Sequence, residues 1–343
     1  MNYLSNKLSK FLGNPSFSNN KKYTSLVPSA ASTVVTTATG DKKVVGACHR
    51  QQYYRLKNKI PDEGAVNIDW TLSALIGDKL HDLLVELVDV YGVQMGLQRI
   101  TREHSIYNET IKLSGRCDLI LWDYNNDEPV GVEIKSIGEY KAKKAIEGPI
   151  EEHVLQSVLY LDFYNKNITE GQKKITKWYI WYVSRTENWT LKSKAHNSEF
   201  TMMWDYLIEL DNGVPIITLG DGTKQRWNDF SIDKIYDRYK ILYEANQKNT
   251  IPPRDYEIIY SEEKIASMHK HNLLERKADK EAVDKWLSKG APPGKLKVTM
   301  GDGECLFCEY KKLCWEGIEN TKNKKFSNLP ETKKAAAKID LFI

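Results

Sequence analysis

Gly115-Arg116-Cys117-Asp118-Leu119-Ile120, followed after a turn by Val132-Glu133-Ile134-Lys135, is the stretch on which the fold turns. Side chains alternate between the two faces of a strand, so Glu133 and Lys135 share one face while Val132 and Ile134 enter the core. Asn125-Asn126-Asp127 supplies turn residues, and Gly115 to Asp123 and Val130 to Ile137 read as the arms of a hairpin. Asp118 then sits beside Glu133. Two neighbouring carboxylates repel each other, and such hard oxygen ligands hold a divalent cation well. A lysine two residues along places positive charge where negative charge develops when water attacks a phosphodiester.

Upstream, Thr71 to Tyr91 carries Leu72, Leu75, Ile76, Leu80, Leu83, Leu84, Leu87 and Val88 at helical spacing, and within it Gly77-Asp78-Lys79-Leu80-His81 presents a histidine. On an apolar-striped helix a histidine serves as a satisfied core residue or as a third ligand beside carboxylates. Ile106 to Lys112 suits a strand ahead of Gly115. Downstream, Ile150 to Tyr164 returns to helical spacing, and Gln156 and Tyr160, four apart, share one face. The amide and the phenol suit hydrogen bonding to a DNA strand and stacking on its bases. Lys177 to Ser184 reads as a buried strand. Its Trp178 and Trp181, with Trp189, are read as core packing rather than a stacking platform. Lys141, Lys143 and Lys144 suit either a DNA channel or a solvated helix start.

Further along, Gly220-Asp221-Gly222 is a turn between two short strands, and Ser231 to Gln247 and Glu262 to Leu287 read as helices. Val44 to Lys59 reads as a helix carrying Cys48. These elements predict a mixed α/β fold. Residues 1–42 read as a flexible polar arm, 43–316 as the main domain with an insert at about 187–290, and 317–343 as a mobile basic tail.

Lys and Arg number 50 against 46 Asp and Glu, a net charge of +4 that permits nucleic-acid binding without demanding it. No apolar run approaches the roughly 18 residues of a membrane span. The expectation is a protein acting inside the cell, in the cytoplasm. No phosphate-cradling glycine loop is present, which leaves helicase and dinucleotide chemistry unsupported.

Five cysteines are unevenly spread: Cys305, Cys308 and Cys314 cluster, while Cys48 and Cys117 stand alone. Clustering with an outlier suits metal ligation better than a disulfide framework. Three thiolates need a fourth ligand. Cys48 is the better candidate, because Cys117, next to Asp118 in a strand, is expected to point away from the acidic face into the core. Iron–sulfur and zinc ligation both remain open on the spacing.

In order, G-x-x-x-H, G-R-x-D, E-I-K and Q-x-x-x-Y resemble the motif series of RecB-type nucleases of the PD-(D/E)XK superfamily, over roughly Cys48 to Ser184 and again at the C-terminal cysteines. The resemblance implies a central mixed sheet flanked by helices and a Mg²⁺- or Mn²⁺-dependent DNA exonuclease or end-processing enzyme. It implies His81, Asp118, Glu133 and the Ile134 carbonyl as metal ligands, and Lys135 as the residue that orients the attacking water. Gln156 and Tyr160 would engage DNA. The cysteine pattern is similar to the iron–sulfur branch, which includes CRISPR-adaptation nucleases and phage-encoded relatives. There Cys48, Cys305, Cys308 and Cys314 would hold a 4Fe–4S cluster as a structural staple, with zinc as the competing metal. Single-stranded DNA as substrate, partners in recombination, replication or CRISPR adaptation, homo-oligomers and a phage source are expectations of the same kind. Two other classes stand against an enzyme: a catalytically quiet DNA-binding or assembly subunit, and a zinc-stabilised nucleic-acid-binding module.

Overall fold

The structure is a computed structural model that describes residues 24–37, 40–61, 68–185 and 202–315. Its described elements begin with a helical turn at Pro28–Ala30 and a separate two-stranded sheet of β1 (Ser32–Thr36) and β2 (Lys42–Gly46). Helices α1 (His49–Leu56) and α2 (Ile68–Tyr91) follow. Next come β3 (Leu97–Asn108), β4 (Leu113–Asp123), β5 (Glu128–Ile137), α3 (Glu139–Ala145), α4 (Glu151–Lys166) and β6 (Lys177–Ser184). After them run β7 (Met203–Asp211), β8 (Val214–Thr218), β9 (Lys224–Arg226) and helices α5 (Ile232–Lys248), α6 (Glu262–Lys270) and α7 (Lys277–Leu287). Two single turns, α8 (Gly303–Leu306) and α9 (Lys311–Cys314), carry Cys305 and Cys314, with Cys308 between them.

Strands β3 to β9 lie side by side in chain order as one seven-stranded sheet. Neighbours are antiparallel except β5 and β6, which are parallel. Parallel neighbours need a crossover, and α3 and α4 supply it. The result is an α/β fold with a large mixed central sheet flanked by helices.

The described residues form two compact units. The first holds 24–34, 45–47, 68–185 and 202–243, and the second holds 35–37, 40–44, 48–61 and 244–315. In the first, Leu84, Val85 and Val88 of α2 pack on Leu119, Leu121, Val130, Val132, Ile134 and Val183. Val132 and Ile134 thus enter the core as alternation requires. On the sheet's other face lies α4, with Val154, Leu155, Val158 and Leu159 fully buried. Burying each such side chain contributes about 1.5–3 kcal/mol, so these two layers dominate the unit's stability.

Trp178 of β6 anchors the α4 layer. It is fully buried, and Tyr160 stacks on it at 5.7 Å between ring centroids. A Cβ on Gly131, its register partner in β5, would lie 2.1 Å from the indole. Gly131→Ala therefore cannot be absorbed by a small shift. It is expected to cost about 3 kcal/mol, read as a fall in the urea midpoint at unchanged slope. An unchanged midpoint would contradict this packing.

Several expectations need correction. Val44 to Gly46 belong to β2, and Cys48 caps α1 rather than riding within it. Within the supposed flexible arm, Leu26, Ala30 and Ala31 are buried, and Leu26 bridges to Leu113. Residues 1–23 lie outside the described residues, as do the tail beyond Trp315 and Trp189. The 187–290 insert is not one body: β7 to β9 extend the central sheet, while residues from Glu244 onward belong to the second unit. The helix expected over Glu262 to Leu287 is broken, because Asn272 adopts a left-handed φ of 56° and ends the first half. The apolar stripe of α2 is only partly covered: Leu72 and Leu83 are 44% and 48% exposed.

Candidate active site and cysteine pocket

Strands β4 and β5 pair from Asp123↔Glu128 to Leu119↔Val132 and then part. Beyond that point β4 stays paired with β3, and β5 with β6. Asp118 and Glu133 are the first residues past the parting. There the Ile134 amide, with no β4 backbone to reach, donates to Asp118 Oδ2 at 2.7 Å. In an extended strand the N–H and C=O of one residue point to the same edge, so the Ile134 carbonyl faces this gap too.

Glu133 is 2% exposed. Burial drives its carboxyl well above the ordinary carboxylate range, opposed mainly by Lys135. Lys135 Nζ donates to Glu133 Oε1 at 2.6 Å and to Gln156 Oε1 at 2.8 Å. Gln156 Nε2 donates to the Tyr160 hydroxyl at 2.9 Å, and that hydroxyl donates to the Arg116 carbonyl at 2.8 Å. An unbroken chain thus runs from Glu133 through Lys135, Gln156 and Tyr160 to the backbone of β4. Tyr160 is buried, so it holds Gln156 in place and does not reach out to stack on bases, contrary to expectation.

His81 Nε2 of α2 stands 3.2 Å from Asp118 Oδ1, within ion-pair range but without hydrogen-bond alignment. Its pKa is raised by Asp118, against the effect of burial. His81 Nε2 and Glu133 Oε2 are therefore both buried polar atoms without a hydrogen-bond partner. Each such atom costs about 1–3 kcal/mol. A cation drawn into the gap would relieve both, and the donors are of the right kind: two carboxylates, an imidazole and a carbonyl. As they stand they do not close on one ion. Among the described residues no three His, Cys, Asp or Glu side chains are grouped as a ready cage. The reason is visible in the bonds: Asp118 Oδ2 is engaged by the Ile134 amide and Glu133 Oε1 by Lys135.

The glycines of the motifs have packing reasons. Gly115 lets Pro28 close onto β4, where a Cβ would lie 2.5 Å from the proline ring. Gly77 brings α2 against Ser136 of β5, one turn before His81.

No family model matches this sequence, and no curated protein is significantly similar to it.

In the second unit, Cys48, Cys305, Cys308 and Cys314 line one pocket. All are free thiols. Tyr54, Tyr256 and Trp315 supply apolar walls, and Arg50 and Lys311 supply positive charge. The Tyr310 amide donates to Cys308 Sγ at 3.4 Å, and Arg50 Nη1 to Cys314 Sγ at 3.7 Å. Burial pushes the Cys48 thiol up to about 12 and the Cys308 thiol to about 11, and raises that of Cys305 too. These thiols are protonated at neutral pH, and a bound metal or cluster would displace their protons. The four thiols share the pocket and N–H donors reach two of the sulfurs, but among the described residues they too are not grouped as a ready metal cage.

Cys117 is not among them. It is fully buried, as expected, but on the α4 side: its cross-strand partner His104 packs its ring on Tyr164 of α4 at 5.5 Å. That is the face of Glu133 and Lys135, so the expectation that Cys117 points away from it is corrected. Among residues that sequence reading passed over, His153 of α4 and Tyr182 of β6 lie beside Lys135. The only hint was a histidine three residues before Gln156.

Proposed function

We propose that the first unit is a divalent-metal-dependent nuclease that hydrolyses phosphodiesters of DNA, and that the cysteine pocket of the second holds a 4Fe–4S cluster. The reading is that of a RecB-type PD-(D/E)XK enzyme acting as an exonuclease or end-processing enzyme on single-stranded DNA. One observation carries it: Asp118, Glu133, Lys135 and His81 meet where β4 and β5 part, with Glu133 Oε2 buried without a hydrogen-bond partner and His81 Nε2 facing Asp118 Oδ1 at 3.2 Å. A surface hairpin with ordinary charges would solvate such atoms.

His81, Asp118, Glu133 and the Ile134 carbonyl would hold Mg²⁺ or Mn²⁺, which supplies Lewis-acid polarisation of the scissile phosphate when bound. Lys135 does the rest of the electrostatic work. Its ammonium, steadied by Gln156, is placed to orient a water and to offset charge building on the phosphate oxygens. The Tyr160 bond to β4 keeps Gln156, and through it Lys135, from swinging away. In the second unit, a cluster held by four thiolates ties the start of α1 to α8 and α9, a structural rather than hydrolytic role.

Purified protein should degrade end-labelled single-stranded DNA with Mg²⁺ or Mn²⁺ and stop when EDTA is added. Strands blocked at the 5′ or the 3′ end give the direction of attack. Degradation undiminished by EDTA would defeat the metal assignment, and absence of degradation with either cation would favour a DNA-binding subunit.

A further inference from the structure

Tyr182 is the register partner of Lys135 across the parallel β5–β6 pair, so both side chains rise from the same face of the sheet. Its hydroxyl has two neighbours. The Ile150 amide, just before α4, donates to it at 2.9 Å, and His153 Nδ1 lies 2.9 Å away. The tyrosine's own hydrogen needs an acceptor, and His153 Nδ1 is the one the structure supplies. Nδ1 must then be unprotonated, and the imidazole carries its hydrogen on Nε2. Burial and the Lys135 and Lys141 ammoniums favour the neutral ring.

His153 is partly buried, and its Nε2 has no hydrogen bond among the described residues and is not among the fully buried unpartnered atoms. His153 sits three residues before Gln156, hence on the same face of α4, and Gln156 is bonded to Lys135. An N–H donor not engaged by any described residue thus stands near the lysine, held in one tautomer by a buried tyrosine.

We infer that His153 is a substrate-binding residue of the nuclease site: its neutral Nε2–H donates to a non-bridging phosphate oxygen of the single strand bound beside Lys135. The inference rests on the nuclease reading for its substrate. A neutral donor adds orientation to the lysine's charge, because an N–H accepts an oxygen along one direction whereas an ammonium attracts from all sides. Tyr182 acts one step further back, by selecting the tautomer.

Three measurements test it. Imidazole ¹⁵N NMR of the folded protein should place the His153 hydrogen on Nε2, and Tyr182→Phe should release it to a mixture of tautomers. A hydrogen on Nδ1 in the unmodified protein would overturn the inference. His153→Leu should weaken binding of a single-stranded oligonucleotide about 10-fold, read by fluorescence anisotropy with Ca²⁺ in place of Mg²⁺. His153→Gln, which keeps an N–H donor, should restore most of the loss. Equal affinity for wild type and His153→Leu refutes the phosphate contact. In turnover the same variant should raise KM with kcat within about threefold, whereas a merely structural role would lower kcat and the thermal midpoint together. Absence of hydrolysis in the wild type, with the binding difference intact, would count against the nuclease reading alone. Hydrolysis with no binding difference would count against His153 alone.

Discussion

Lys135→Ala should give a folded protein whose DNA hydrolysis is slower by about 10³-fold, the upper range for loss of one preorganised electrostatic group. Lys135 bonds both Glu133 and Gln156, so its removal undoes the chain that fixes the site. Breaking a buried ion pair ordinarily costs about 3–5 kcal/mol, because the partner charge is stranded. Here the cost should be smaller. Burial has already raised the Glu133 pKa, so the carboxyl takes up a proton when the ammonium is gone. Circular dichroism should therefore show a native fold while an end-labelled digest shows almost no product. Activity within tenfold of wild type would remove Lys135 from the chemistry.

Loss of the proposed cluster is the second large effect, and it should appear as stability. Cys305 is 8% exposed within a core of Tyr256, Ile258, Ile259 and Trp315. Anaerobically purified wild type should be brown with broad absorption near ~400 nm and four irons per chain. Cys305→Ser should be colourless, with a thermal midpoint lower by roughly 10 °C, as loss of a metal site worth several kcal/mol implies. Burying an unpartnered hydroxyl costs about 1–3 kcal/mol by itself, so iron content and colour, read beside the midpoint, separate loss of the cluster from that cost. A colourless wild type carrying one zinc would decide for the rival metal.

The hairpin was legible in the sequence because turn chemistry and two-residue alternation agree between Gly115 and Ile137. The bounds of β6 were legible for a similar reason: an unbroken apolar run ends in polar residues at both sides. β3 was only half visible. Its register shifts between Arg99 and Thr101, and Glu103 has a left-handed φ of 49°, so the alternation slips and the part before Ile106 no longer reads as strand. The N-terminal strand Ser32–Thr36 was hidden by polar composition, although its Thr-Val-Val-Thr core favours extended backbone. The helix stop at Asn272 was overridden by apolar spacing that resumes at Leu274 and Val283, both buried in the α6–α7 cluster.

The site shows the same division. Motif order identified Asp118, Glu133, Lys135, His81 and Gln156 as one constellation, and all converge. Spacing could not show that Tyr160 is buried, since a helix face four residues wide can look toward solvent or toward a tryptophan. Nor could it bring Tyr182 to His153, 29 residues earlier, because that meeting depends on the parallel register of β5 and β6.

Trp178 touches both halves of this division. It closes the space above Gly131 and carries Tyr160, whose hydroxyl holds the residue that steadies Lys135. Changes at this indole would therefore alter folding and turnover together. In a mutational scan, Trp178, Gly131 and Tyr160 should form a block of intolerant positions around which neither property can drift alone. Adaptation to new substrates would have to proceed through the exposed rim, at residues such as Arg116 and Lys141, which can vary without disturbing that block.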